Sequence, residues 1–343
     1  MDETDFSMMT IKDTIKYFRD AWREDHRISL LESGDVSYRN WWYVDNPAEI
    51  WFTRFITHYF PDYKKKIRFY GVMGNKKNLG EPFPGAKVFF TGENVSPIVS
   101  YPGLSPDPER KKLLDRRICL YRDYGEGIVD YSMGFVYRKA SWYTRFPLWI
   151  LYLFEPEDDY DTIRTKMKAI DSMPCNVGKR GAAVIASHDD FGSRRRICDD
   201  VSDLLSVCYA GKWRNNSDEL WKKFGNDKIK FLSSFRFNIC PENMDAEGYT
   251  TEKIFDAFRS GTIPLYEGAL GQPEPEVIEP ESYIHWNFEG SNIDALEEIK
   301  RLSEDDHYYL LFMKKPRFKP EASDYIWECI EQFRRKMEEL ICC

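Results

Sequence analysis

The sequence predicts an α/β protein built as two domains facing a cleft, with helices at its C-terminal end. Three observations lead there. The chain has 343 residues, more than one core usually covers. Its hydrophobic fraction of 42% supports sizeable cores. Short apolar runs with turn punctuation alternate with helical spacings, and the pattern restarts after a polar seam. The expected divisions are 1–172 for the first domain, 173–302 for the second and 303–343 for the helical segment.

Taken in order, Met8, Ile11, Ile15, Phe18 and Trp22 recur at a helical spacing, as do Ile50, Phe52, Phe55, Ile56 and Tyr59 after Asn46-Pro47. Ile67–Val72 and Lys87–Phe90 read as strands. The apolar run from Phe146 to Phe154, which includes Pro147, suits a buried strand or a short helix. The seam at 171–180 is polar and holds both Pro and Gly. After it come a strand at Ala182–Ser187, a helix around 194–206, a strand at Phe235–Cys240, a helix over 251–259 and a strand at Thr262–Tyr266. In the last helix Ile326, Ile330, Phe333, Met337 and Leu340 form an apolar stripe.

Composition narrows the function classes. A net charge of −8 argues against a nucleic-acid partner, whose phosphates demand a basic surface, but leaves room for a local basic pocket. No stretch reaches the ~18 apolar residues of a membrane span, and the acidic N-terminus is no signal peptide. The eight cysteines show no CxxC, and the five histidines show no ligand spacing, so the cysteines read as reduced thiols of a cytosolic protein. The soluble catalytic part of a secretory-pathway enzyme would look the same. Aromatics at 16% suit either large cores or a sugar-lining site.

The chemistry concentrates in residues 235–268. A strand ends at Cys240, a polar loop follows, and a helix starts at Thr250 or Thr251, either of which can cap it, and stops at Ser260-Gly261. In an open α/β sheet, ligands sit beyond the carboxyl ends of strands, and a helix N-terminus there suits a phosphate. Lys253, in the first turn, runs against the helix dipole; it is either a solvated lysine or a functional one.

The run Phe-Asn-Ile-Cys240-Pro-Glu242-Asn243, then Gly248-Tyr249-Thr-Thr251-Glu252-Lys253-Ile-Phe-Asp-Ala, then Gly261-Thr-Ile-Pro-Leu-Tyr-Glu-Gly268, closely resembles the donor-binding motif of the α1,3/α1,4-fucosyltransferases, glycosyltransferase family 10. Lys179–Ser187 with Arg194 resembles that family's first donor-domain strand and its arginine-bearing helix. Val88-Phe-Phe-Thr-Gly92-Glu93-Asn94-Val95-Ser96-Pro97 resembles its acceptor-side stretch, joined by Asp130-Tyr131, Tyr143-Thr-Arg145-Phe-Pro147 and Asn40-Trp41-Trp42. The likeness covers roughly residues 37–290.

The resemblance implies the GT-B fold, a pair of Rossmann-like domains with the acceptor side first and the nucleotide-sugar side second. It implies inverting transfer of L-fucose from GDP-β-L-fucose to a hydroxyl of a GlcNAc-containing oligosaccharide acceptor, with an α1,3 linkage favoured. Glu93 is the implied general base. Some members carry a second carboxylate just before Ser-Pro, where this chain has Val95. Arg194 and Lys253 would hold the diphosphate, so no cofactor or metal is required beyond the GDP-fucose donor. Arg194 heads Arg194-Arg195-Arg196, the other two reading as a solvated helix start. Glu252 would approach the fucose or a ribose hydroxyl, and Asn243 and Tyr249 would bond or stack around the donor. Glu242 would hold the loop or accept from the nucleotide, Thr251 belongs to the same binding loop, and Ser187 would touch phosphate or ribose. For each of these donor-side residues a purely structural role is the alternative.

Asp159-Tyr160-Asp161 reads as a helix cap rather than a metal site, and His188-Asp189-Asp190 as loop. The terminal stripe is expected to dock on the first domain. A peripheral membrane contact, helped by Arg334-Arg335-Lys336 and Cys342-Cys343, is the alternative, which makes the expected location cytoplasmic with an optional membrane association. Rival functions are another GT-B nucleotide-sugar transferase and a carbohydrate-binding protein without turnover.

Overall fold

A computed structural model describes residues 30–342 apart from 98, 100, 105–107 and 176. The helical spacing at 8–24 lies outside the described residues. The first sheet contains β1 (Leu31–Ser33), β2 (Val36–Arg39), β3 (Lys66–Tyr70), β4 (Gly85–Phe90), β5 (Tyr131–Gly134) and β6 (Tyr143–Arg145), side by side in chain order. β1 and β2 form an antiparallel hairpin, and every later pairing is parallel. Parallel strands are covered on both faces, which is why β5 is buried throughout. Between β2 and β3, Asn46 accepts from the Ala48 N–H to cap a 3-10 turn. Helix α1 (Trp51–Tyr59) follows and buries Trp51, Phe52, Phe55 and Ile56. Helix α2 (Pro108–Tyr121) links β4 to β5.

The apolar run after Pro147 forms a short helix, α3 (Trp149–Leu153), and α4 (Tyr160–Asp171) comes next. Asp159 accepts from the Thr162 N–H and caps α4, while Tyr160 donates to Asp324 and Asp161 pairs with Arg164. Both carboxylates of the Asp-Tyr-Asp triplet are thus engaged with α4 itself.

The second sheet runs β11-β10-β9-β7-β8, all parallel: β7 (Arg180–Val184), β8 (Val207–Tyr209), β9 (Phe235–Ile239), β10 (Ile263–Tyr266) and β11 (Ile284–His285). Helix α5 (Ser193–Ser202) follows β7, α6 (Glu219–Lys222) and α7 (Lys228–Leu232) precede β9, and α8 (Glu252–Arg259) joins β9 to β10. β7 sits between β8 and β9, so the chain turns one way after β7 and the other way from β9 onward. That reversal is a topological switch point, where the loops beyond two neighbouring strands diverge and leave a crevice. β7 ends at Val184, earlier than the expected 187, which leaves Ser187 in the loop beyond it.

Helices α9 (Ile293–Glu304), α10 (Asp306–Met313) and α11 (Ala322–Ile341) complete the chain. α11 crosses back to the first sheet and packs on α4, β4 and β6. Its stripe of Ile326, Ile330, Phe333 and Met337 is buried with Ile341, and Leu340 is only half-buried. Arg334, Arg335 and Lys336 pair with Glu331, Glu328 and Glu339 on the outer face. The apolar stripe of α11 is therefore spent inside the protein. No helix among the described residues is long and apolar enough to cross a membrane.

The core of the first half does not stop at the second. Trp149 of α3 stacks on Phe255 of α8 with centroids 4.4 Å apart, and one continuous apolar cluster joins β4, α11 and α8.

Candidate active site

Three loops meet at the carboxyl ends of the strands. The first follows β4. Thr91 Oγ1 donates to the Glu93 carbonyl at 2.9 Å and accepts from the Glu93 N–H at 3.0 Å, which folds a tight turn. Gly92 belongs there because a Cβ would lie 2.7 Å from the Leu148 side chain. The Glu93 carboxylate accepts from the Trp42 indole N–H at 3.4 Å and from Arg117 at 3.3 Å. Trp42 stands beyond the carboxyl end of β2 and Arg117 on α2. Asn94, fully buried, accepts from the Ser96 N–H and points its amide at Met244 of the second half.

The second loop follows β7. Asp189, read from the sequence only as part of a loop, accepts from the backbone N–H groups of Arg194 and Arg195 and so caps α5. Arg194 is 7% exposed. It donates to the His188 carbonyl at 2.7 Å and to Asn243 Oδ1. Burial pulls its guanidinium below the usual arginine range, with Asp189 and Glu242 pulling the other way. Arg195 is exposed. Arg196 is not a solvated residue: it donates to the Pro102 and Phe288 carbonyls and ties a first-half loop to the second.

The third loop follows β9 and holds the motif. Glu242, wholly buried, accepts from the Thr251 N–H at 2.7 Å, the Thr251 hydroxyl, Lys253 Nζ at 2.6 Å and the Tyr266 hydroxyl at 3.1 Å. The Thr251 hydroxyl makes no capping bond to α8. The Glu242 carboxylate does that work, and it also explains Lys253, whose unfavourable place at a positive helix end is offset by the buried anion. Glu242 is thus the loop's organiser. Gly248 has φ +70°, and an added Cβ would lie 2.7 Å from the Phe135 carbonyl oxygen. Tyr249 does not stand free to stack on a ligand. Its ring is buried against Phe135 at 5.0 Å, and burial, then Glu93 and Glu242, hold its hydroxyl well above the usual tyrosine range.

Glu93, Arg194 and Asn243 line one hollow with Met244 and Phe191. Asn243, Met244 and Phe191 also line the adjoining hollow, walled by Tyr101, Asp245 and Glu267. Lys253 joins this set through Glu242. Glu252, half-buried, heads α8, whereas Ser187 is exposed and makes no side-chain hydrogen bond among the described residues. Three residues escaped sequence reasoning. Arg117 and Trp42 carry the Glu93 partnerships; only Trp42 stood in a motif. Tyr152, the exposed residue of α3, lies in the field of Glu252, Asp256 and Glu93, and its hydroxyl is raised by burial and then by those three carboxylates.

A family model described as the N-terminal domain of the alpha-(1,3)-fucosyltransferase FucT matches residues 36–152, and one described as the glycosyltransferase family 10 (fucosyltransferase) C-terminal part matches residues 178–334. The chain is 26% identical over 260 residues to the alpha-(1,3)-fucosyltransferase FucT of Helicobacter pylori, covering 74% of this chain and 52% of that protein. It is 35% identical over 123 residues to an alpha-(1,4)-fucosyltransferase of Arabidopsis thaliana, covering 36% of this chain and 29% of that protein. The chain thus spans about half, or less, of the length of these relatives. A crystal structure of an alpha1,3-fucosyltransferase with GDP-fucose superposes with a TM-score of 0.57 at 20% identity, over 91% of this chain and 95% of that one, which shows the GT-B fold. With both halves of the chain matched by models of a single family, the chain belongs to glycosyltransferase family 10.

Proposed function

We propose that the protein is an inverting fucosyltransferase that moves L-fucose from GDP-β-L-fucose to a hydroxyl of a GlcNAc-containing glycan, forming an α1,3 linkage. The observation that carries the reading is the shared hollow: a carboxylate from one half, Glu93, and a buried guanidinium from the other, Arg194, line the same space. The fucosyltransferase names of the relatives point the same way.

Inversion is a single in-line displacement. The attacking hydroxyl loses its proton to a base on the face opposite the leaving group. Glu93 suits that role because both its side-chain contacts are long, 3.4 Å to Trp42 and 3.3 Å to Arg117, which fixes the carboxylate while leaving lone pairs for a proton. The GDP leaving group needs positive charge rather than a proton. Arg194 offers a fork to the phosphate oxygens, and Lys253, 21% exposed and held by Glu242, adds a point charge. Since these two cations do that work, the reading calls for no metal. Asn243 keeps Arg194 aimed, and Glu252 and Tyr152 flank the sugar side.

The test is Glu93→Gln. Turnover of GDP-fucose with a lactosamine acceptor, followed by GDP release, is expected to fall by about 10²–10⁴-fold. Thermal stabilisation by GDP-fucose is expected to persist. A variant that turns over as fast as the parent refutes the assignment, and NMR of the product reads the anomeric configuration and linkage.

A further inference from the structure

A second hollow, unused by this mechanism, lies beside the Glu93 loop at the carboxyl ends of β4 and β5. Its walls include Ser96, Arg122, Asp123, Tyr137 and Arg138. At about 470 Å³ it falls within the ~300–1,000 Å³ range of small-molecule sites. Its charge is out of keeping with a protein of net −8. Asp123 is already paired with Lys76 and accepts from the Gly125 N–H. Arg138 sits over the rings of Tyr124, Trp142 and Tyr143, with centroids 5.2, 5.2 and 5.7 Å away. Neither Arg138 nor the exposed Arg122 makes a side-chain hydrogen bond or ion pair among the described residues. Stacking on rings holds a guanidinium in place without using its N–H donors, so its fork stays open to a planar anion.

The far wall is as firmly set. The Tyr137 hydroxyl donates to Glu276 at 3.0 Å, and its ring lies beside Gly248 and under Arg145 at 4.3 Å. With 44% of the residue exposed, this fixed aromatic face can lie against a sugar ring. Val95, which also lines the hollow, is two residues from Glu93, at most ~7 Å along the chain, so the hollow adjoins the segment that carries the proposed base.

We propose that this hollow is an acceptor subsite for an acidic sugar: Arg138 and Arg122 take its carboxylate, Tyr137 takes its ring face, and the neighbouring sugar presents its hydroxyl to Glu93. The assignment rests on the transferase reading above and names the acceptor class it would serve.

Initial rates of GDP release test it with three lactosamine acceptors differing in one group: neutral, carrying a carboxylate sugar, or carrying a phosphate ester. At low salt kcat/KM for the carboxylate acceptor is expected to exceed the neutral one by about tenfold or more, and the ratio is expected to collapse toward unity in ~0.5 M salt. Arg138→Gln lowers that ratio at least severalfold, and Arg138→Lys restores part of it. Should Arg138→Gln not fold, Arg122→Gln and the salt series of the parent decide. A ratio near one in the parent, or one unchanged in both arginine variants, overturns the subsite, and preference for the phosphate ester overturns the acidic-sugar assignment. If the neutral acceptor also releases no GDP, the transferase reading fails and the subsite falls with it; neutral turnover without acid preference defeats the subsite alone.

Discussion

Glu274→Gln is the substitution with the largest expected effect outside the hollow. Glu274 is wholly buried and meets Arg145, 9% exposed, through two parallel bonds of 2.8 and 2.7 Å. Arg145 also donates to the Phe135 carbonyl at 2.9 Å, to the Tyr325 hydroxyl at 2.7 Å and to the Gly248 carbonyl at 3.3 Å. One guanidinium therefore joins the first sheet, α11 and the loop after β9. Burial pulls Arg145 down, and the Glu274 carboxylate more than reverses it, so this charge is stable inside the protein because of its partner. An amide in place of the carboxylate keeps the shape but leaves a buried cation uncompensated, at a cost of about 3–5 kcal/mol. Glu157 is the comparison: it pairs with Arg54 at 2.5 Å, but both side chains are more than a third exposed, so Glu157→Gln is expected to cost no more than ~1 kcal/mol. Urea unfolding of both variants at pH 7.5, with slopes compared, reads the difference. Equal midpoint shifts in the two would refute the argument that burial sets the value of the Arg145 pair.

Asp256 on α8 is pushed up to about 6 by burial and then by Glu252, against an unfolded value of about 3.9. The folded state then binds more protons than the unfolded one between those values, so this group's contribution falls as pH rises from about 4 to 6. Asp256→Asn is expected to raise stability by about 1–3 kcal/mol at pH 8 and to change little at pH 4; melting curves at both pH values check it, and an equal gain at both would count against it. Gly248→Ala forces a left-handed backbone on a side chain and a Cβ onto the Phe135 carbonyl, so a loss of at least ~1–2 kcal/mol and a raised KM for GDP-fucose should appear together. Lys253→Ala should weaken GDP binding in calorimetry by tenfold or more, about 1.4 kcal/mol, if it is one of the two cations proposed above to hold the diphosphate. Chelation with EDTA should leave the initial rate unchanged.

The local part of the site could be read from the sequence. A strand, a polar loop and a helix that stops at Gly261 are all signalled by neighbours in the chain, and the motif after Cys240 gave Glu242, Asn243 and Lys253 their common address. Glu93 was legible through the resemblance of the stretch after β4 to the family's acceptor-side segment, and the structure places it in a hollow shared with Arg194. The partners that give these residues their geometry were not. Arg117 reaches Glu93 from 24 positions further along the chain, on α2, and no local pattern marks it. Lys253 looked misplaced at a helix start because the carboxylate that justifies it sits eleven positions back, on the far side of a loop. Tyr152 belongs to a run whose apolar character signals burial, and only the orientation of α3 shows that this ring faces outward. The Tyr249 ring, placed by resemblance beside the donor, packs inward on Phe135, in a small apolar cluster between the segment after β5 and the loop after β9.

The stack of Trp149 on Phe255, neither of which lines the hollow of Glu93 and Arg194, fastens the two halves together. A molecule pinned there has little freedom to swing open like a pair of jaws, since that would expose both rings and the apolar residues around them to water. If the proposed transfer holds, entry of a nucleotide sugar and departure of the spent nucleotide would be managed by small shifts in the segments after β4 and β9 rather than by parting of the two halves. On that proposal, substitutions in those two segments are expected to change the rate of nucleotide release while leaving the melting temperature alone.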